Sequence, residues 1–229
     1  MRTLYELCGA ERDVRFSPTV WRTRMQLKHK GLDFIGEPTR FLEKEPFAPS
    51  GSKTVPVLKD GETWVADSFK IALYLDETYP DNPLIAGGDA GIAAAEFFNN
   101  WALTSVLSQL FPMIAADIIQ ILDDENAAYF RETREKALGQ SLEDAQVMAR
   151  PNLPVLRGSL VPARMALKKR QFLSGDQPGF NDYCLFGIFM WSRVVSTLEV
   201  LSPDDPLSAW MDRMLDLFDG YARSAKLGV

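Results

Sequence analysis

Residues 54–79, TVPVLKDGETWVADSFKIALYLDETY, constrain this chain more than any other stretch. The run Thr54-Val55-Pro56-Val57-Leu58 is β-branched and apolar, Asp60-Gly61 is a hairpin turn signal, and Thr63-Trp64-Val65 resumes strand chemistry. Proline gives no N–H to a ladder, so Pro56 belongs at a sheet edge or at the start of a strand. An X–Pro bond is also the kind that adopts cis at low cost. A cis Val55-Pro56 bond would turn the Val55 N–H and C=O outward, towards an extended ligand backbone. Ala66-Asp67-Ser68 then forms a strand-to-helix junction, and apolar Phe69, Ala72, Leu73 and Leu75 carry the helix. Free N–H groups at such a helix start make an anion site.

The N-terminal and later segments divide into two kinds. Residues 2–7 (RTLYEL) read as a strand. Ser17-Pro18 gives an N-cap followed by the first residue of a helix, with apolar Val20, Trp21, Met25 and Leu27, a basic Lys28-His29-Lys30 turn and a stop at Gly31. Residues 33–35 are a second short strand, and 36–52, with three prolines, is irregular with room for one helical turn. With the hairpin and its helix, the order suits a thioredoxin-like, four-stranded mixed sheet over residues 1–80. A Pro-, Gly- and Asp-dense linker occupies 81–89. Everything over 90–229 reads as an all-helical bundle, so the fold class is α/β plus all-α. Pro112 is the expected break in a long helical stretch over 90–122, residues 129–148 read as one charged helix, and 183–195 as an apolar helix in the bundle's middle.

Composition narrows the function. The chain has 229 residues, 46% of them apolar and 24% charged, with a net charge of −6. That size supports a real core, and the acidic balance argues against nucleic acid or an anionic membrane as the main partner. No uninterrupted apolar run approaches twenty residues, and MRTLYEL does not have the form of a signal peptide. A cytoplasmic protein with reduced thiols is expected. Cys8 and Cys184 are far apart, and His29 stands alone, so no zinc site, other metal site or histidine-based triad is expected.

The pairing of Val55-Pro56-Val57-Leu58 with Asp67-Ser68 at a helix start resembles the glutathione-binding half of a thioredoxin-fold glutathione transferase. The helical second unit is similar to that of the same cytosolic superfamily. Phe16-Ser17-Pro18-Thr19-Val20-Trp21-Arg22, residues 27–31, residues 172–178 and Asp204-Asp205-Pro206-Leu207 with Trp210 resemble the bacterial β-etherase branch and its fungal relatives. Those enzymes open β-aryl ethers of lignin-derived compounds with glutathione. The resemblance spans residues 3–223. It departs at Gly179, where the family has a capping hydroxyl three residues before Asp182, and near Tyr221, beyond which the etherases carry an extension that shapes their acceptor pocket.

The resemblance implies glutathione as co-substrate, a small aromatic electrophile as second substrate and a homodimer. Ser17 would donate a hydrogen bond to the glutathione sulfur; as the first helix's N-cap it also has a purely structural role open to it. Val55 would pair through its backbone with the cysteinyl unit beside Pro56. Asp67 and Ser68 would take the γ-glutamyl end, or simply cap their helix. Lys53 and Arg40 are cationic candidates for the glycyl carboxylate, with Thr54 assisting, although either cation could be plain surface charge. Trp21, Trp101, Phe111, Met113 and Ile114 would line the acceptor site or belong to the core, and residues 97–101 mix aromatics with amides on one helix. Two other functions remain open: a ligand-binding protein without turnover, and a glutathione-dependent reductase working through Cys8.

Overall fold

The computed structural model describes all residues, 1–229. Strands β1 (Arg2–Leu7), β2 (Phe34–Thr39), β3 (Val57–Asp60) and β4 (Thr63–Ala66) form one sheet in the order β2-β1-β3-β4. β1 runs parallel to β2 and antiparallel to β3, which makes the sheet mixed. The strand β2 is longer than the sequence suggests. It reaches Thr39 because Pro38, in an edge strand, has no inner ladder bond to lose. The Val55-Pro56 bond is cis, Pro56 stands just ahead of β3, and Val55 lies beyond the ladder, which ends at the Tyr5–Val57 pair. Gly61 turns the hairpin with φ of +59°.

Helix α1 (Pro18–His29) is capped by Ser17, whose side chain accepts from Val20 N, and ends at Gly31 in the left-handed region. It is buried on almost every side, with Val20, Trp21, Met25 and Leu27 at most 2% exposed. That is because the sheet covers one face and α9 (Phe180–Val195) the other. The approach is close: a Cβ at Gly187 would lie 2.2 Å from the Pro18 carbonyl oxygen. Glycine at 187 thus lets α9 press directly on the start of α1.

The stretch from 79 to 87 is fastened along its length. Lys30 donates to the carbonyls of Tyr79 and Asp81, His29 Nε2 to that of Asn82, and Asp76 accepts from Leu84 N and Ile85 N. Leu84 O in turn accepts from Phe180 N at the start of α9. The helical unit opens with α2's successor α3 (Gly88–Trp101), following α2 (Ser68–Thr78). It passes through a π-helical turn at Ala102–Leu107 into α4 (Ser108–Ile119). The irregularity therefore precedes Pro112. Side chains meet the carbonyls there: Thr104 donates to Asn100 O (2.7 Å), Gln109 to Ser105 O and Ser108 to Thr104 O.

This 32-residue rod, Gly88–Ile119, is long and apolar enough in composition to cross a membrane. Here Ala102, Val106, Leu110, Ile114 and Ile118, spaced by four, are fully buried in the bundle.

The single charged helix expected over 129–148 is two, α5 (Asp124–Leu138) and α6 (Leu142–Ala149), divided by Gly139 at φ +73°. Asp123, at the head of an acidic turn in sequence, is the N-cap of α5. Short helices α7 (Leu153–Ser159) and α8 (Val161–Leu167) follow, and α10 (Pro206–Gly220) closes the bundle. At the head of α9, Ser174 and the Leu84 carbonyl fill the space where a side chain at 179 would go: a Cβ there would meet both at 2.9 Å. Asp182 is wholly buried and accepts four bonds, from Leu173 N, Ser174 N, Gly179 N and Trp210 Nε1. That is full satisfaction for a buried carboxylate without a cation beside it.

Candidate active site

Three adjoining clefts run along the junction of the two units. The first, about 500 Å³, lies between residues 50–56 and the start of α2, and is lined by Thr54, Val55, Pro56, Asp67, Ser68 and, from α1, Thr19. Asp67 holds φ of +79°, a conformation that costs a non-glycine residue about 1–3 kcal/mol. Its Oδ1 accepts from Phe69 N and Lys70 N at 2.9 and 3.1 Å, so one carboxylate oxygen caps the helix. The other oxygen has no protein partner and is available to a cation.

Behind Ser68 stands Arg22, 2% exposed and without any carboxylate partner. Its guanidinium donates to Asn99 Oδ1 (2.7 Å), to Cys184 Sγ (2.9 Å) and to Ser68 Oγ (3.2 Å). Burial pushes the Cys184 thiol up, against the opposing pull of Arg22, so the sulfur does not neutralise the charge. Since arginine only donates, Ser68 accepts from it and keeps its own proton for the cleft. An uncompensated buried cation of this kind favours an anion at the end of α2.

The second cleft, about 290 Å³, is apolar: Leu7, Phe16, Phe41, Leu107, Phe111 and Trp191 are among its walls, with Ser17 and Arg134 as its polar side chains. Phe111 stacks on Trp191 with ring centres 5.9 Å apart and planes 9° from parallel. Ser17 faces this cleft and Thr19 faces the first, and their hydroxyl oxygens are 3.1 Å apart. The two pockets therefore meet at the N-terminus of α1. A third cleft, about 600 Å³, shares Thr54 and Val55 with the first and Leu7, Phe41 and Arg134 with the second, and adds Arg40, Lys44 and Lys53.

Of the residues singled out in the sequence, Ser17, Lys53, Thr54, Val55, Pro56, Asp67, Ser68, Arg40 and Phe111 all line this groove. Arg40 is already engaged: it donates to Ala10 O at 2.9 Å and lies 3.3 Å from Asp123. Trp21 is corrected to the core, 2% exposed, its indole N–H donating to Arg15 O, because both faces of α1 are covered. Trp101 packs on Phe98 and lines none of the three clefts, and Met113 and Ile114 are buried inside the bundle. Phe97 points away, 76% exposed, while Asn99 serves Arg22.

Cys8 is fully buried at the end of β1 and its thiol is pushed up by burial, both unfavourable to thiol exchange. His29 bridges Asn82 O and the Tyr183 hydroxyl and is a fastening between units, not a solvated helix end. Thr19, Lys44, Phe41, Phe130, Arg134 and Trp191 were not singled out. Only Thr19 and Trp191 stood within elements whose position relative to the site the sequence could suggest. No group of three or more His, Cys, Asp or Glu side chains lies together as metal ligands would.

A thioredoxin-like sheet unit that carries a capped anion site, joined to a helical unit that closes an apolar cleft over it, defines the two-unit glutathione transferase architecture. The comparisons agree: residues 16–78 match the glutathione S-transferase N-terminal domain and residues 93–217 the glutathione S-transferase C-terminal domain. The chain belongs to the glutathione S-transferase family, whose co-substrate is glutathione.

It is similar to the glutathione S-transferase-like protein ustS of Aspergillus flavus, 26% identical over 208 residues that cover 78% of this chain and 74% of that one. Among solved structures it resembles glutathione transferase GSTFuA3 of Phanerochaete chrysosporium, with a TM-score of 0.77, 29% identity and coverage of 97% and 93%. The fold is also shared with the glutathione S-transferase CsGST63524 of Ceriporiopsis subvermispora, solved in complex with glutathione, with a TM-score of 0.75, 24% identity and coverage of 98% and 94%.

Proposed function

We propose that the chain binds glutathione along the groove and transfers its sulfur to an aromatic electrophile held in the apolar cleft. What carries the reading is the meeting of a polar and an apolar cleft at the Ser17 and Thr19 hydroxyls, 3.1 Å apart. In this reading the γ-glutamyl ammonium pairs with the free oxygen of Asp67, and its carboxylate takes the Ser68 proton and the N–H groups of α2. The Val55 backbone pairs with the cysteinyl unit, and Lys53 with Lys44 receives the glycyl carboxylate.

Ser17 Oγ accepts from Val20 N and, with Thr19 as the donor in their 3.1 Å bond, keeps its own proton to donate to the sulfur at the positive end of α1. A free thiol titrates near 8.5, and lowering that by about two units takes roughly 2.7 kcal/mol. One charge-assisted hydrogen bond and a helix terminus supply an amount of that order. The thiol proton leaves to solvent, sulfur bonds to the electrophilic carbon, and the leaving group departs with its electron pair. An aryl ether activated by a neighbouring ketone, expelling phenolate, falls within this chemistry. The reading includes a homodimer, expected through the face of the first unit; Ile92 and Phe97 on α3 are exposed apolar side chains also open to a second copy.

Calorimetry with reduced glutathione tests the binding, and Ser17→Ala tests the chemistry. The variant should bind glutathione about as well and turn over about 10–100-fold more slowly, the loss of one hydrogen bond to a charge. No heat with glutathione would end the reading. Unchanged turnover in the variant would move the sulfur's partner elsewhere.

A further inference from the structure

Apart from the Trp191 indole N–H, the apolar cleft has two side chains that can hydrogen-bond a ligand, Ser17 and Arg134. The first is taken up by the sulfur in the function proposed above, on which this inference rests. Arg134 has no task in it. It projects from α5, its one bond is to the neighbouring Thr133 hydroxyl at 3.2 Å, and its guanidinium lies over the Phe130 ring, 5.3 Å from the centre. It forms no ion pair, in contrast to Arg131 on the same helix, which is held by Glu135 and Glu143. A cation resting on an aromatic face, at the rim of an apolar pocket and without a carboxylate, is a receptor for an anionic group.

The pocket's size limits what carries that group. A cavity of roughly 150 Å³ accepts benzene, so about 290 Å³ holds one ring with its substituents, anything beyond it reaching into the adjoining third cleft. Phe111 stacked on Trp191 offers that ring a flat wall. We propose that the second substrate is an aromatic electrophile whose ring in this cleft bears a carboxylate, with the carboxylate received by Arg134 and the reactive carbon turned towards Ser17.

Arg134 also borders the cleft assigned to the glycyl end, where Lys44 and Lys53 stand, and the test separates the two uses. A matched pair, 2-chloro-1,3-dinitrobenzene and 4-chloro-3,5-dinitrobenzoate, presents the same chlorine flanked by the same two nitro groups, without and with the carboxylate. In both, the C–S bond forms, the C–Cl bond breaks and chloride carries off the electron pair. The protein should prefer the benzoate, and Arg134→Gln should lower kcat/KM for it by about 10–100-fold. The same variant should change the neutral compound and the glutathione KM by less than about threefold.

Equal losses for both electrophiles, or a raised glutathione KM, would assign Arg134 to glutathione and overturn the inference. Quenching of tryptophan fluorescence by 4-nitrobenzoate and by nitrobenzene, with and without Arg134, reads the preference independently of turnover. A protein that conjugates neither electrophile yet binds the benzoate through Arg134 would refute transfer while keeping the anion site. No preference for the benzoate in quenching would refute the site itself.

Discussion

The two ends of the groove are built by different means. The polar end comes almost entirely from one contiguous stretch, residues 50–70, with Thr19 as a single visitor. The apolar end is assembled from β1, the start of α1, the loop at Phe41, the π-helical turn, α4, α5 and α9. A site made within one stretch has its geometry set by local rules: a proline ahead of a strand, a turn glycine, a capping aspartate in a left-handed conformation. A site gathered from seven places depends on how helices dock, so each wall can change without disturbing the others. In the proposed function, recognition of the common co-substrate is thereby kept apart from choice of acceptor.

Substitution on either side should show how complete that separation is. The largest effect is expected at Asp67. Replacing it by Ala removes both the helix cap and the charge offered to the ammonium. The glutathione KM should rise by about 10–100-fold, with the KM for an aromatic acceptor unchanged. A matching rise in the acceptor KM would break the contrast.

Phe111→Ala should do the reverse. It opens the wall beside Trp191 and raises the acceptor KM by about three- to tenfold while glutathione binding stays as it was. Chain stability should also fall by about 3–5 kcal/mol at most, since the ring is half-buried.

The smallest effect concerns the fastening between the units. Burial holds the His29 pKa below its ordinary value, so the folded protein keeps the ring neutral where the unfolded chain would protonate it. The stability this contributes is whole above about pH 6.5 and is lost as pH falls through the lowered value. Thermal melts of the wild type should decline over that window, ahead of the carboxylates Glu43 and Asp205, whose lowered values place their losses at more acid pH. In His29→Gln that early decline should disappear; its persistence would locate the proton uptake elsewhere.

The difference between the two ends also explains what could be read in advance. Pro56, Gly61, Asp67 and Ser68 announce themselves because each answers a backbone demand within its own neighbourhood. Phe111 was visible as an aromatic on a helix, but so was Trp21, and nothing in the sequence told the two apart. Burial of α1 between the sheet and α9 decides it, and Gly187, which allows that burial, lies far along the chain.

Gly139 was overlooked inside a run of charged residues, so two helices read as one. The stretches 172–178 and Asp205 with Trp210 are legible for another reason: they encircle Asp182 or cap α10, and none of these residues lines the three clefts. They report how the bundle is pinned and carry no word about the acceptor. Arg134 stayed hidden because its significance lies in lacking the partner that Arg131 has.

The contact between Gly187 and the Pro18 carbonyl, together with the fastened stretch from 79 to 87, leaves no slack for the two units to swing open like a jaw. A second reactant then has to pass Phe41, Lys44, Tyr129 and Arg134, which line the doorway as it stands. In the proposed function such a molecule would work as a fixed jig, with the hydroxyl at the head of α1 held at one station.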